Sequence, residues 1–126
     1  MPNRDSFINN IQQGYSFASP SIMLGAANFE GEIIKETQIS IPLKTLNRHG
    51  LISGATGSGK TKTLQILAEQ MSKYGIPSLL MDIKGDLSGI AMPESTNTKI
   101  AERSAQVGIP FAPEGNHVEF LTISDE

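Results

Sequence analysis

The sequence predicts an α/β fold with a parallel sheet, and two observations support this. From about Arg48 onward, short apolar segments alternate with segments of helical periodicity, which is typical of chains that build a parallel sheet with helical crossovers. A glycine-rich segment, Gly54 to Thr61, follows the first apolar segment and precedes the first helix of this region. Such a loop at a helix N-terminus is suited to binding a phosphate group.

The region has the predicted order βαβαβ. The predicted strands are 50–53, 78–83 and 118–123, and the predicted helices run from the glycine-rich loop to about residue 74 and from about 98 to 107. Because the strands are expected to be parallel and each feeds a helix or loop at the same edge of the sheet, Ser53, Asp82 and Ile123 are expected at that edge.

A small β-rich element is expected before this core. We assign residues 1–45 to that element and residues 46–126 to the first part of the core. Within the element, a short helix is predicted at 5–13, a turn at 28–31, and extended segments at 22–25, 32–35 and 38–41.

The composition excludes several classes of protein. The 126 residues carry a formal net charge of −3 and no cysteine, so disulfides and cysteine-based zinc sites are excluded. A pI of about 5.3 lacks the basic signature of many nucleic-acid-binding domains. No apolar run reaches the ~18–20 residues of a membrane span, and the N-terminus lacks a signal-peptide core. We expect a cytoplasmic protein without a membrane partner.

The segment Gly54-Ala55-Thr56-Gly57-Ser58-Gly59-Lys60-Thr61 fits the pattern G-x-x-x-x-G-K-[ST]. Glycines let the main chain form a nest of N–H groups around phosphate oxygens. In this pattern the lysine reaches the β- and γ-phosphates and the last hydroxyl ligates Mg²⁺. A glycine-rich turn that matches by chance is the alternative. It is disfavoured because an apolar segment precedes the loop and a helical pattern follows it.

The predicted cofactors are therefore ATP and Mg²⁺. Lys60 is the predicted catalytic residue, and Thr61 and Asp82 are the predicted metal ligands. The predicted nucleotide-binding residues are Gly54, Ala55, Thr56, Gly57, Ser58, Gly59, Lys60, Thr61 and Lys62.

Asp82 and Asp86 follow the second predicted strand, where ligand sites of open α/β sheets cluster. A carboxylate there could hold Mg²⁺ or a water bound to it. The alternative is a strand-ending turn, in which Asp and Gly serve the main chain. The sequence leaves both interpretations open for Asp82.

Two blocks of the sequence together resemble a known family. They are NRHGLISGATGSGKTKTLQ, residues 47–65, and LMDIKGDLSG, residues 80–89. Both are similar to parts of bacterial HerA-like helicase/translocase ATPases, and the resemblance extends over about residues 22–126. It implies a RecA-like P-loop NTPase core, ATP hydrolysis and, for a full-length member, a homo-hexameric ring that moves DNA.

The chain departs from this family in length. Family members are several times longer and carry a later Walker B strand, sensor residues and an arginine finger. The chain is therefore expected to be the N-terminal portion of a larger ATPase, with an incomplete core. Arg103 is the core arginine that could act in trans. Because an arginine finger contributes about 10³–10⁵ in rate, we expect nucleotide binding with very slow hydrolysis.

Two other functions stay open at this point. A small-molecule P-loop kinase has a similar phosphate loop, but such kinases close an arginine-rich lid and this chain has few arginines. A non-catalytic module could use nucleotide as a structural ligand. An assay of ATP turnover in the presence of DNA, and in the presence of small-molecule acceptors, distinguishes the three functions.

Overall fold

Three α-helices and one β-hairpin make up the described part of the chain, which is residues 3–93, 97–109 and 113–122 of a computed structural model. The elements are α1 (Arg4–Gly14), β1 (Ser21–Phe29), β2 (Glu32–Pro42), α2 (Lys60–Lys73) and α3 (Thr98–Val107), with 3₁₀ turns at Leu43–Thr45 and Ser88–Ala91. The three predicted helices are confirmed. The segments predicted at 32–35 and 38–41 belong to one longer strand, β2.

The hairpin turn is the predicted one. β1 and β2 pair antiparallel and are joined by Glu30 and Gly31. Both residues have positive φ, 50° and 92°, as a type I′ turn requires. The Asn28 side chain accepts a hydrogen bond from the Gly31 N–H at 2.9 Å, which fixes the turn from the strand side.

A buried threonine forms hydrogen bonds to the main chain where the pairing of β1 and β2 is interrupted. Ala27 faces Ile34, while the residue before it faces Gln38. Residues 35–37 therefore form a bulge in β2. Thr37 is fully buried, and its hydroxyl accepts from the Ala27 N–H at 3.1 Å and donates to the Ile34 carbonyl at 2.6 Å. One side chain thus satisfies two main-chain groups at the irregularity.

Helix α1 packs on the hairpin along its length, and Gln12 in its last turn donates to the Glu36 carbonyl at 3.2 Å. The rings of Phe7 and Phe29 lie 5.0 Å apart and are tilted by 44°, an arrangement that favours aromatic pairs. Arg4 forms an ion pair with Glu32 at 3.1 Å. Since both charged side chains are exposed, this ion pair adds little to stability. The aromatic contact therefore contributes more to the packing of α1 on the hairpin.

Helix α2 is fastened to β1 by its C-terminal half. The Gln70 side chain accepts from the Met23 N–H at 2.9 Å and donates to the Met23 carbonyl. One turn further on, the Tyr74 hydroxyl donates to the Ser21 carbonyl at 3.2 Å. These contacts make the hairpin a support for the helix that follows the glycine-rich loop.

The predicted parallel-sheet core is not found in the described part of the chain, where the sheet consists of the β1–β2 hairpin. Residues 50–53, 78–83 and 118–122 have no strand structure, and residue 123 lies outside the described residues. A strand is held by ladder hydrogen bonds to a neighbour. No main-chain hydrogen bond links 50–53 or 78–83 to another main-chain group in the described ranges, so the expected sheet edge with Ser53 and Asp82 does not form.

In segments 50–53 and 78–83, all the apolar side chains except that of the half-buried Leu80 are exposed. The exposed fractions are 89% for Leu51, 83% for Leu79, 85% for Met81 and 100% for Ile83. Ile22 and Ile34 of the hairpin, by contrast, are 0% and 1% exposed. Exposed apolar residues without a strand partner are a hazard for association between chains.

The hairpin turn predicts a stabilising substitution. Glu30 adopts a left-handed conformation at a cost of about 1 kcal/mol, whereas Asn tolerates this conformation and Asn-Gly is favoured in type I′ turns. We expect Glu30→Asn to raise the urea midpoint of unfolding, measured by circular dichroism. Glu36→Asn, at an exposed position of β2, is the matched control and should give no gain. A midpoint unchanged by Glu30→Asn would contradict the assignment of strain to this turn.

The exposed segment 78–83 predicts association at high concentration. Replacing Leu79 and Ile83 with Glu increases the net negative charge and removes apolar surface, so light scattering should show less association of the double variant than of the native chain. Ser78→Glu adds charge in the same segment without removing an apolar side chain and should have a smaller effect. Equal association of all three proteins would show that the segment is not responsible.

Candidate functional site

The glycine-rich loop leads directly into helix α2, as the sequence predicts. Gly57 and Gly59 have φ of 79° and 95°, which glycine adopts without strain. Helix α2 begins at Lys60, and its N-cap, Gly59, offers no side chain to the N–H groups of the first turn. These N–H groups and the positive end of the helix dipole face the loop, where they favour an anion.

Lys60 folds back over the loop. Its Nζ donates to the carbonyls of Gly54 and Ala55, each at 2.7 Å. The ammonium group therefore lies where it can exchange these carbonyl partners for a phosphate oxygen. Thr61 and Lys62 follow in the first turn of α2 with exposed side chains.

A side chain at position 54 would crowd the side chain of Ser58 across the loop. A Cβ placed on Gly54 would lie 2.5 Å from the Ser58 Oγ and 3.3 Å from the Ser58 Cβ. A hydrogen bond from the Ser58 N–H to the Ala55 carbonyl at 3.2 Å also holds the two sides of the loop together. All the predicted nucleotide-binding residues thus lie in one continuous loop and helical turn, residues 54–62.

The carboxylate of Asp82 organises the loop that follows it. Its Oδ1 accepts from the N–H groups of Lys84 at 3.1 Å and Gly85 at 2.9 Å, and its Oδ2 accepts from the Leu87 N–H at 2.7 Å. These bonds, above all that from Leu87, hold the pKa of Asp82 below its ordinary value because they favour the ionised form. The geometry favours the turn interpretation of Asp82, and its role as a metal ligand stays a prediction.

Among the described residues, no three His, Cys, Asp or Glu side chains come together as a metal-binding group would require. Thr61 and Asp82 stay predicted ligands, and in this motif the nucleotide phosphates supply further oxygens to Mg²⁺.

Sequence reasoning missed Gln65, which joins the two predicted parts of the site. Its Nε2 donates to the Asp86 carbonyl at 3.0 Å. Gln65 lies four residues after Thr61, so the two positions are neighbours on one face of α2. The available signal was a polar residue beside the apolar stripe of a helix, which by itself does not identify a partner.

Arg103 lies away from the glycine-rich loop in this structure. It lines an open groove of about 470 Å³ together with Gln106 and three residues of the hairpin, Gly31, Ile33 and Lys35. Its guanidinium donates to the Gln106 side chain at 3.3 Å. A role as an arginine finger in trans stays a prediction.

Comparison with known proteins identifies a family. Residues 28–126 match the family model described as "Helicase HerA-like C-terminal". No solved structure matches the chain, and none of the helices in the described ranges has the length and apolarity needed to cross a membrane.

Two curated relatives come from Sulfolobus acidocaldarius. The chain is 34% identical over 64 residues to the DNA double-strand break repair helicase HerA, covering 50% of this chain and 13% of that protein. It is 46% identical over 46 residues to the DNA import protein CedB, covering 36% of this chain and 8% of that protein. The HerA-like assignment is confirmed. The bacterial branch is not confirmed. The N-terminal placement is not confirmed either, because the matching model describes a C-terminal region.

The loop after Asp82 predicts a pH response. Because the pKa of Asp82 in the folded chain lies below the ordinary 3.8, the ionised carboxylate stabilises the loop above that pH, and this stabilisation is lost as pH falls through the lowered pKa. The Leu87 amide signal in NMR spectra should titrate with a midpoint below 3.8. Asp82→Asn should abolish the titration and Asp86→Asn should leave it. A midpoint at or above the ordinary value would refute the hydrogen-bonded carboxylate.

Proposed function

The chain belongs to the family of HerA-like helicase C-terminal domains, and we propose that it is the nucleotide-binding part of a helicase or translocase ATPase. In this proposal residues 54–62 bind ATP with Mg²⁺. The observation that carries it is the geometry of the loop. Two glycines with positive φ precede an uncapped helix N-terminus, and the Lys60 ammonium lies over the same loop.

Each part of the loop has a defined role toward the triphosphate. The N–H groups around Gly57 and Gly59 bind phosphate oxygens, and Lys60 neutralises charge on the β- and γ-phosphates. Mg²⁺ supplies further charge neutralisation when bound, with the Thr61 hydroxyl as its ligand from this loop. Lys60 is thus the residue proposed to assist phosphoryl transfer, since its charge stabilises the transferring group.

The proposed partner of the whole protein is DNA. One relative is called a DNA double-strand break repair helicase and the other a DNA import protein. The chain spans 13% and 8% of the length of these relatives, so DNA translocation, a hexameric assembly and the division into residues 1–45 and 46–126 are proposals. A cytoplasmic location is also proposed and fits the absence of cysteine.

Replacing Lys60 tests the proposal. Lys60→Ala removes a charged hydrogen bond worth roughly 1.5–3 kcal/mol, so the affinity for Mg-ATP should fall about 10- to 150-fold in isothermal titration calorimetry. Lys44→Ala removes a lysine in the 3₁₀ turn after β2 and should leave the affinity unchanged. Equal affinity of the native chain and Lys60→Ala, or no binding by the native chain, would refute the proposal.

A further inference from the structure

Helix α2 connects two loops that lie far apart in the sequence. Its first turn carries Lys60 and Thr61 of the glycine-rich loop. One turn later, the Gln65 side chain donates to the Asp86 carbonyl at 3.0 Å. We name residues 82–88 the Asp82 loop. The Gln65 contact joins it to the helix that begins at the proposed nucleotide site.

The Asp82 loop is held in shape by hydrogen bonds between its own residues. The Asp82 carboxylate accepts three main-chain N–H groups from within the loop. The Ser88 hydroxyl donates to the Gly85 carbonyl at 2.8 Å, and Gly85 has a φ of 81°, which suits glycine. Leu87 is buried, with 8% of its surface exposed. Because these internal hydrogen bonds fix its shape, the loop can move as a rigid unit when the Gln65 side chain that contacts it moves.

We propose that Gln65 is a positioning residue that transmits nucleotide binding at the glycine-rich loop to the Asp82 loop. This inference rests on the proposed function and adds a consequence of nucleotide binding outside the phosphate site. A bound phosphate takes Lys60 from the carbonyls of Gly54 and Ala55 and reorganises the first turn of α2. Gln65, one turn along on the face of Thr61, carries that change to the Asp86 carbonyl.

The exposed side of the Asp82 loop is the surface that this coupling changes. Ile83 is 100% exposed, and Lys84 and Asp86 are exposed beside it. A movement of the loop therefore changes a surface that presents one apolar and two charged side chains. Nucleotide binding at the glycine-rich loop thereby changes the exposed surface of the Asp82 loop, and the size of this coupling is the free energy that links the two loops.

Amide NMR spectra during a titration with Mg-ADP test the coupling in the native chain. Signals of Gly57 and Gly59 report binding at the glycine-rich loop, and signals of Gly85 and Leu87 report the Asp82 loop. We expect both pairs to shift with the same midpoint. If Gly57 and Gly59 do not respond, the proposed function fails and the inference fails with it. If they respond while Gly85 and Leu87 stay unchanged, the inference alone is overturned.

Gln65→Met separates transmission from binding. Methionine keeps the length of the side chain and removes the donor to Asp86. The shifts of Gly57 and Gly59 should persist, whereas those of Gly85 and Leu87 should be lost. The Leu87 signal of the free variant should still titrate with Asp82, because the loop keeps its internal bonds. Gln13→Met, at an exposed position of α1, is the control and should retain all four shifts. Persistence of the Gly85 and Leu87 shifts in Gln65→Met overturns the proposal.

Discussion

The pairing of the Gln70 side chain with both main-chain groups of Met23 is the interaction on which the arrangement of this chain depends. A carboxamide presents one donor and one acceptor side by side, as the edge of a neighbouring strand does. Each hydrogen bond contributes about 0.5–1.5 kcal/mol net, and the two together fix both the position and the rotation of α2. The hairpin, α2 and the glycine-rich loop thereby form one frame, with the loop at the opposite end of the helix from its attachment.

Features encoded by neighbouring residues could be predicted from the sequence. The three helices follow from apolar periodicity and local stop signals, and the hairpin turn follows from the small and polar residues around Gly31. The glycine-rich loop was located for the same reason, because its conformation depends on glycines within it. All predicted nucleotide-binding residues are adjacent in the chain, so their proximity needed no tertiary information.

Features that depend on a distant partner could not be predicted. The apolar segments 50–53 and 78–83 have the composition of buried strands, but a strand also needs a neighbour, and composition does not supply one. Thr37, Gln65 and Gln70 act through hydrogen bonds whose partners a sequence pattern does not identify. Asp82 was predicted at a strand end, and the sequence left its turn and metal interpretations open. The observed bonds to the N–H groups that follow it favour the turn.

The position of Lys60 has a consequence for which molecules the loop admits. Its ammonium group already has two carbonyl partners within the chain, so an incoming ligand must offer more than those carbonyls do. A neutral acceptor exchanges one bond to the ammonium group for another of the same kind and gains little, whereas an anionic acceptor adds the attraction between opposite charges. The lysine thus favours ligands with closely spaced anionic oxygens over uncharged molecules such as nucleosides.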